Sequence, residues 1–176
     1  MKLKNGLTSM LFPHLPDTLN GRINIASTCE LTPHEREIFF VAFHLIDMAI
    51  KKTPVPPEQL EINAVITDSD EITLQMEPAH LGNRAHLVFY PVHRWRAMRL
   101  SDYKVLTCIV EELCHAIWII TDEDLVKDRV TDVIKAYNPS VTRDQLYPGE
   151  ALQNALASTL QNLLKLAQPN PPSQNL

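Results

Sequence analysis

Two hydrophobic periods follow one another along this chain. Between residues 33 and 52, Ile38, Phe39, Ala42, Leu45, Ile46 and Ala49 recur at helical spacing. Thr32 is placed to cap that helix, Pro33 to take its first position and Glu35 to close a capping box. Phe40 and Phe43 fall off the central face and predict a second contact surface; His44 falls on the solvent side with Glu37 and Lys51. Thr53-Pro54-Val55-Pro56-Pro57 stops the helix in a stiff connector. Period two then takes over. Leu60, Ile62, Ala64 and Ile66 alternate with Glu61 and Asn63, and Ile72, Leu74 and Met76 with Thr73 and Gln75; Asp68-Ser69-Asp70 between them predicts a hairpin. His86 to Pro91 predicts a third strand, its near-continuous apolar run implying cover on both faces. His86 and His93 flank it and read as surface or loop histidines, although His93 stands close enough to the next helix to approach its polar side.

Residues 92–100 read as a basic loop containing His93, Arg94, Trp95, Arg96 and Arg99. The stretch that follows, 101–121, organises the chain. On a helical wheel of about 100° per residue, Val105, Leu106, Ile109, Val110, Leu113, Ala116, Ile117 and Ile120 cover one side. Cys114, Trp118 and Ile119 carry apolar character most of the way round, which predicts a buried helix. Ser101 or Asp102 caps it. A second helix is expected from Thr121 to about Tyr137, with Leu125, Val126, Val130, Val133, Ile134 and Tyr137 inward, and a last amphipathic helix over 149–167 covers the core or a symmetric partner, giving a homodimer. Before residue 30 only Arg22-Ile23-Asn24-Ile25 alternates, as a short edge strand. The expected organisation is an extended arm over 1–30, a single α+β domain over 31–167 and a disordered tail over 168–176.

The chain's 176 residues, 45% hydrophobic, can bury one core. Its net charge of −5 argues against nucleic acid as a partner. No run reaches membrane-spanning length, and the opening MKLKNGLTSMLFPHLP, broken by Pro13, does not read as a signal peptide. Cys29, Cys108 and Cys114 do not form a disulfide framework, which fits a reducing cytoplasm.

The candidate chemistry lies inside the buried helix. Glu111, Glu112 and His115, with Cys108 one turn earlier, share its remaining polar sector. Carboxylates in an apolar setting call for partners, hydrogen bonds or a metal. Glu111 and His115 are four apart and Glu112 and His115 three apart, so either pair can reach one point beside the helix. Glu111-Glu112-Leu113-Cys114-His115 resembles the H-E-x-x-H helix of zincin metallopeptidases, with the first histidine replaced by glutamate. The order of elements over residues 32–136 is also similar to the zincin layout, a backing helix and small sheet preceding the motif helix. The resemblance implies Glu111 and His115 as ligands to a divalent metal, most readily zinc, and Glu112 as general base. It implies a third ligand, for which Glu123 and Asp132 are the candidates, and a group such as His93 or an arginine of the basic loop for the developing oxyanion. The implied activity is that of a small intracellular peptidase acting on a peptide or protein.

A rival reading keeps the fold without the activity. The glutamates would be a relic neutralised by Arg94, Arg96 or Arg99, and the chain would bind another protein. A di-metal carboxylate bundle needs two helical E-x-x-H units, and Glu77-Pro78-Ala79-His80 is a poor second one because Pro78 follows a predicted strand.

Overall fold

The computed structural model describes residues 15–55, 61–71 and 85–149, together with three two-residue strands at 2–3, 7–8 and 74–75. Contacts divide the chain into two compact units, Met1–Val141 and Thr142–Leu176. In the second unit the described helix is the single turn α5 (Arg143–Leu146), capped by Thr142. The expected helix over 149–167, the tail and the Glu77–His80 segment lie outside the described residues.

The first unit is α+β. Its sheet runs in the order β2 (Leu7–Thr8), β3 (Ile23–Ser27), β4 (Glu61–Thr67), β6 (Ala85–Pro91). The pairs β3–β4 and β4–β6 are parallel, while β2 joins antiparallel at the margin. Helix α1 (Pro33–Lys52) connects β3 to β4, the long crossover that a parallel pair requires. This overturns the expected hairpin. Both edges of β4 are taken by parallel neighbours, and β5 (Leu74–Gln75) pairs instead with β1 (Lys2–Leu3). It also moves Ile23–Ser27 from an edge to an interior position. The burial patterns of two strands are exchanged relative to expectation. Central β4 is buried from Ile62 to Thr67 despite its polar residues, as befits a parallel strand covered on both sides. In β6, Val88 and Tyr90 are buried but Leu87 and Phe89 are exposed on the opposite face.

Helix α1 begins as its sequence dictates. Thr32 Oγ1 accepts from the Glu35 amide, and Glu35 Oε2 accepts from the Thr32 amide at 2.8 Å. Phe39, Ala42, Leu45 and Ile46 are buried, and so is Phe43, which packs on Phe39 instead of forming a second surface. Phe40 is exposed and stacks on exposed His44. Asp47 is buried too, accepting from Thr18 Oγ1 and Lys51 Nζ, each at 2.7 Å. The basic loop is in fact helix α2 (Val92–Ala97), and its arginines tie elements together. Arg96 donates to both Glu35 oxygens at 2.7 Å, and Arg94 Nε donates to Asp70 at 2.7 Å. No helix among the described residues is long and apolar enough to cross a membrane.

The Arg96 guanidinium holds the Glu35 carboxyl down to about 2, from an ordinary 4.5, with the Thr32 hydrogen bonds adding to it and burial opposing. A depressed carboxylate stabilises the fold above its unfolded pKa, and that stability is lost as pH falls through the folded value. Glu35→Gln should therefore cost about 2 kcal/mol at neutral pH. The deficit should shrink between pH 4.5 and about 2. Urea unfolding of both proteins at a series of pH values checks this; a deficit constant down to pH 2 would contradict it.

Candidate metal centre

Helix α3 (Asp102–Trp118) starts at Ser101, whose side chain accepts from the Lys104 amide. Its apolar residues Ile109, Val110, Leu113, Ala116 and Ile117 are buried against the sheet and the neighbouring helices. The helix stops at Ile119, which adopts the left-handed conformation at φ 54°. That turn brings helix α4 (Glu123–Lys135) back beside the end of α3. Asp122, and not Thr121, caps α4, accepting from the Asp124 and Leu125 amides at 2.9 Å. Val126, Val130, Val133 and Ile134 face inward as expected, with Thr131, whereas Leu125 and Tyr137 are exposed.

A β-branched residue in the left-handed region is strained. Ile119 is also partly exposed, so little burial is lost on shortening it. Ile119→Gly should stabilise the protein by about 1 kcal/mol, read as a higher urea midpoint. A lower midpoint would show that the side chain holds the turn.

The reversal at Ile119 assembles the site. Glu111, His115 and Glu123 each present one donor atom, and these atoms lie within 4.8 Å of one another. Glu111 and His115 come from one face of α3 and are half-buried; Glu123 comes from the first turn of α4 and is exposed. His115 Nδ1 lies 2.6 Å from the Ile120 carbonyl oxygen. A carbonyl can only accept, so Nδ1 carries the proton and the Nε2 lone pair is left for a ligand. Histidines that bind metal are commonly fixed this way by their second nitrogen. Nε2 lies 4.0 Å from Glu123 Oε1, too far for a hydrogen bond. Ligands to one ion at about 2.1 Å stand about 3–3.5 Å apart, so the donor atoms would draw together by side-chain movement around an ion. Two carboxylates and one imidazole suit borderline to hard divalent ions, and the group could hold one.

Glu112 shares a cleft with two of the three, His115 and Glu123. Ala116, Ile120 and residues of β6 also line this cleft, whose volume is about 350 Å³. Glu112 is exposed as a residue, yet partial burial of its carboxyl raises its pKa; the Glu111 and Glu123 carboxylates push the same way and His115 opposes them. The thiols take no part in this group. Cys114 is fully buried, which pushes its pKa well up, and burial raises that of Cys108 as well.

Of the sequence candidates, Glu111, His115 and Glu123 come together, while Asp132 is exposed on α4 and stands outside the group. His93 is engaged at the end of β4. Placed in the first turn after β6, it meets the loop that follows β4, with Nε2 2.8 Å from Asp70 Oδ1 and Nδ1 3.3 Å from the Thr67 carbonyl oxygen. Two of the three arginines expected as neutralising partners are engaged elsewhere, Arg94 with Asp70 and Arg96 with Glu35, and Arg99 lines a separate cleft with Glu35, Trp95 and Asp102. Arg129 lies over the Trp118 ring and donates to Thr53. His86, which reads as a flanking histidine, lines the cleft. The alternation of β6 puts it on the same face as Val88 and Tyr90; that phase against α3 is the signal that could have found it. No family model, no curated protein and no solved structure matches this chain.

Proposed function

We propose that this chain is a zincin-like, metal-dependent hydrolase, a small cytoplasmic peptidase in which Glu111, His115 and Glu123 hold a zinc ion. The observation that carries this reading is the Ile120 carbonyl on His115 Nδ1, which turns the Nε2 lone pair outward beside two carboxylates. A zinc ion held there would polarise a substrate carbonyl and acidify a water molecule. Glu112, at the mouth of the same cleft, accepts the proton of the attacking water and returns it to the leaving amine. The carboxylate of Glu111 in place of a second imidazole makes the ion less electrophilic than one held by two imidazoles, so slow turnover is expected. The relic reading loses support because Arg94 and Arg96 are committed to Asp70 and Glu35. The test is hydrolysis of a quenched fluorescent peptide pool by chelator-stripped protein, before and after adding one equivalent of zinc, manganese or iron(II). Activity that appears with metal and disappears on chelation supports the proposal. Metal bound without any cleavage would overturn the hydrolase assignment and leave a binding protein.

A further inference from the structure

Strand β6 carries a polar atom that the fold leaves unsatisfied. His86 Nε2 is sealed from solvent and, among the described residues, has no hydrogen-bond partner. Leaving a buried polar atom unpaired costs a substantial fraction of a protein's stability, so such atoms call for an explanation. Tyr90 Oη, on the same face of β6, is also unpaired, but it lies inside the core, where no ligand reaches it. His86 differs because it borders the cleft that Glu112, His115 and Glu123 also line. Its backbone is fixed by the parallel pairing of β6 with β4, where it stands opposite Ile62. The imidazole is therefore held on a rigid wall facing the helix that bears Glu112 and His115. A half-turn of the ring about its torsion exchanges the positions of Nε2 and Cε1.

We propose that His86 is a substrate-contacting residue, whose Nε2–H turns into the cleft and donates a hydrogen bond to the carbonyl oxygen of an acyl ligand seated beside the Glu111–His115–Glu123 group. The inference rests on the hydrolase reading, and it assigns to His86 the role that His93, engaged with Asp70 and Thr67, does not take. Its substrate class is amides or related acyl compounds, because an N–H donor opposite a carboxylate base suits a carbonyl and not a cation. A carbonyl oxygen in the cleft would give the nitrogen its partner.

The probe is acetohydroxamate, a small acyl compound that chelates zinc through its carbonyl and N–O oxygens together. Its binding to the zinc-loaded full chain is measured by calorimetry in wild type, His86→Ala and His86→Gln, with zinc affinity and melting temperature recorded beside it. His86→Ala should weaken hydroxamate about tenfold, the worth of one hydrogen bond, while zinc affinity stays unchanged. His86→Gln, which keeps an N–H donor, should recover part of the loss; a role in packing alone would not give that rescue. Unchanged hydroxamate affinity in His86→Ala, with zinc bound, overturns the assignment of His86 and leaves the metal site standing. Failure of wild type to bind zinc overturns both.

Discussion

Glu112→Gln is expected to lower turnover of the metal-loaded protein by about 10²- to 10⁴-fold, the range that a positioned general base contributes. The substitution keeps the side chain's size and its hydrogen-bonding oxygen, and removes only the ability to take a proton. Glu112 is suited to the role by its surroundings. Partial burial makes its carboxylate more basic than a free one, and the neighbouring Glu111 and Glu123 carboxylates reinforce the effect. It is not one of the three residues whose donor atoms converge. Bound metal should therefore be unchanged in the variant. The two readouts separate the roles: loss of metal with loss of turnover would make Glu112 a ligand, and retention of full turnover would remove it from the chemistry.

Phe39→Ala should destabilise the first unit by about 3–5 kcal/mol, a large share of the total stability of a domain this size. Phe39 is 1% exposed. Its ring meets Tyr90 edge-on at 5.2 Å and lies 6.1 Å from Phe43 and 6.3 Å from Trp95. One side chain thus joins α1, β6 and α2, and both the area buried and the aromatic geometry contribute. Phe39→Leu, which refills most of the space, should cost markedly less. Urea unfolding followed by circular dichroism measures both. A cost below about 1 kcal/mol for Phe39→Ala would show that the three elements are held together elsewhere.

Helices α1, α3 and α4 are legible in this sequence because their signals are local. Thr32, Pro33 and Glu35 define the start of α1 within four residues, and Ser101 does the same for α3. Strand positions were legible for the same reason, but strand partners were not. Asp68-Ser69-Asp70 has hairpin composition, yet the turn is organised by Thr67, whose hydroxyl donates to the Ser69 carbonyl and accepts from its amide. The chain leaves β4 without returning along it. Parallel pairing is decided by the α1 crossover and by Ile23–Ser27, which the surrounding Pro and Gly punctuation disguised as an arm. Helix α2 has the sequence of a loop because its arginines lack an apolar period; their partners Asp70 and Glu35 are distant in sequence. At the site, the four-residue step from Glu111 to His115 was readable on a helical wheel. The choice of Glu123 over Asp132 was not, since it depends on the left-handed turn at Ile119. The face of β6 that carries His86 toward α3 likewise exists only after packing.

Metal content of the purified chain tests the central claim most directly. The protein is expressed without an affinity tag, dialysed against one equivalent each of zinc, manganese and iron(II), freed of excess ion and analysed by mass spectrometry beside His115→Ala and Glu123→Ala. The account predicts close to one zinc ion per wild-type chain, lost in His115→Ala and much weakened in Glu123→Ala, with all three proteins folded. A wild type that retains none of the three metals, or a His115→Ala variant that retains zinc as well as wild type does, would contradict it.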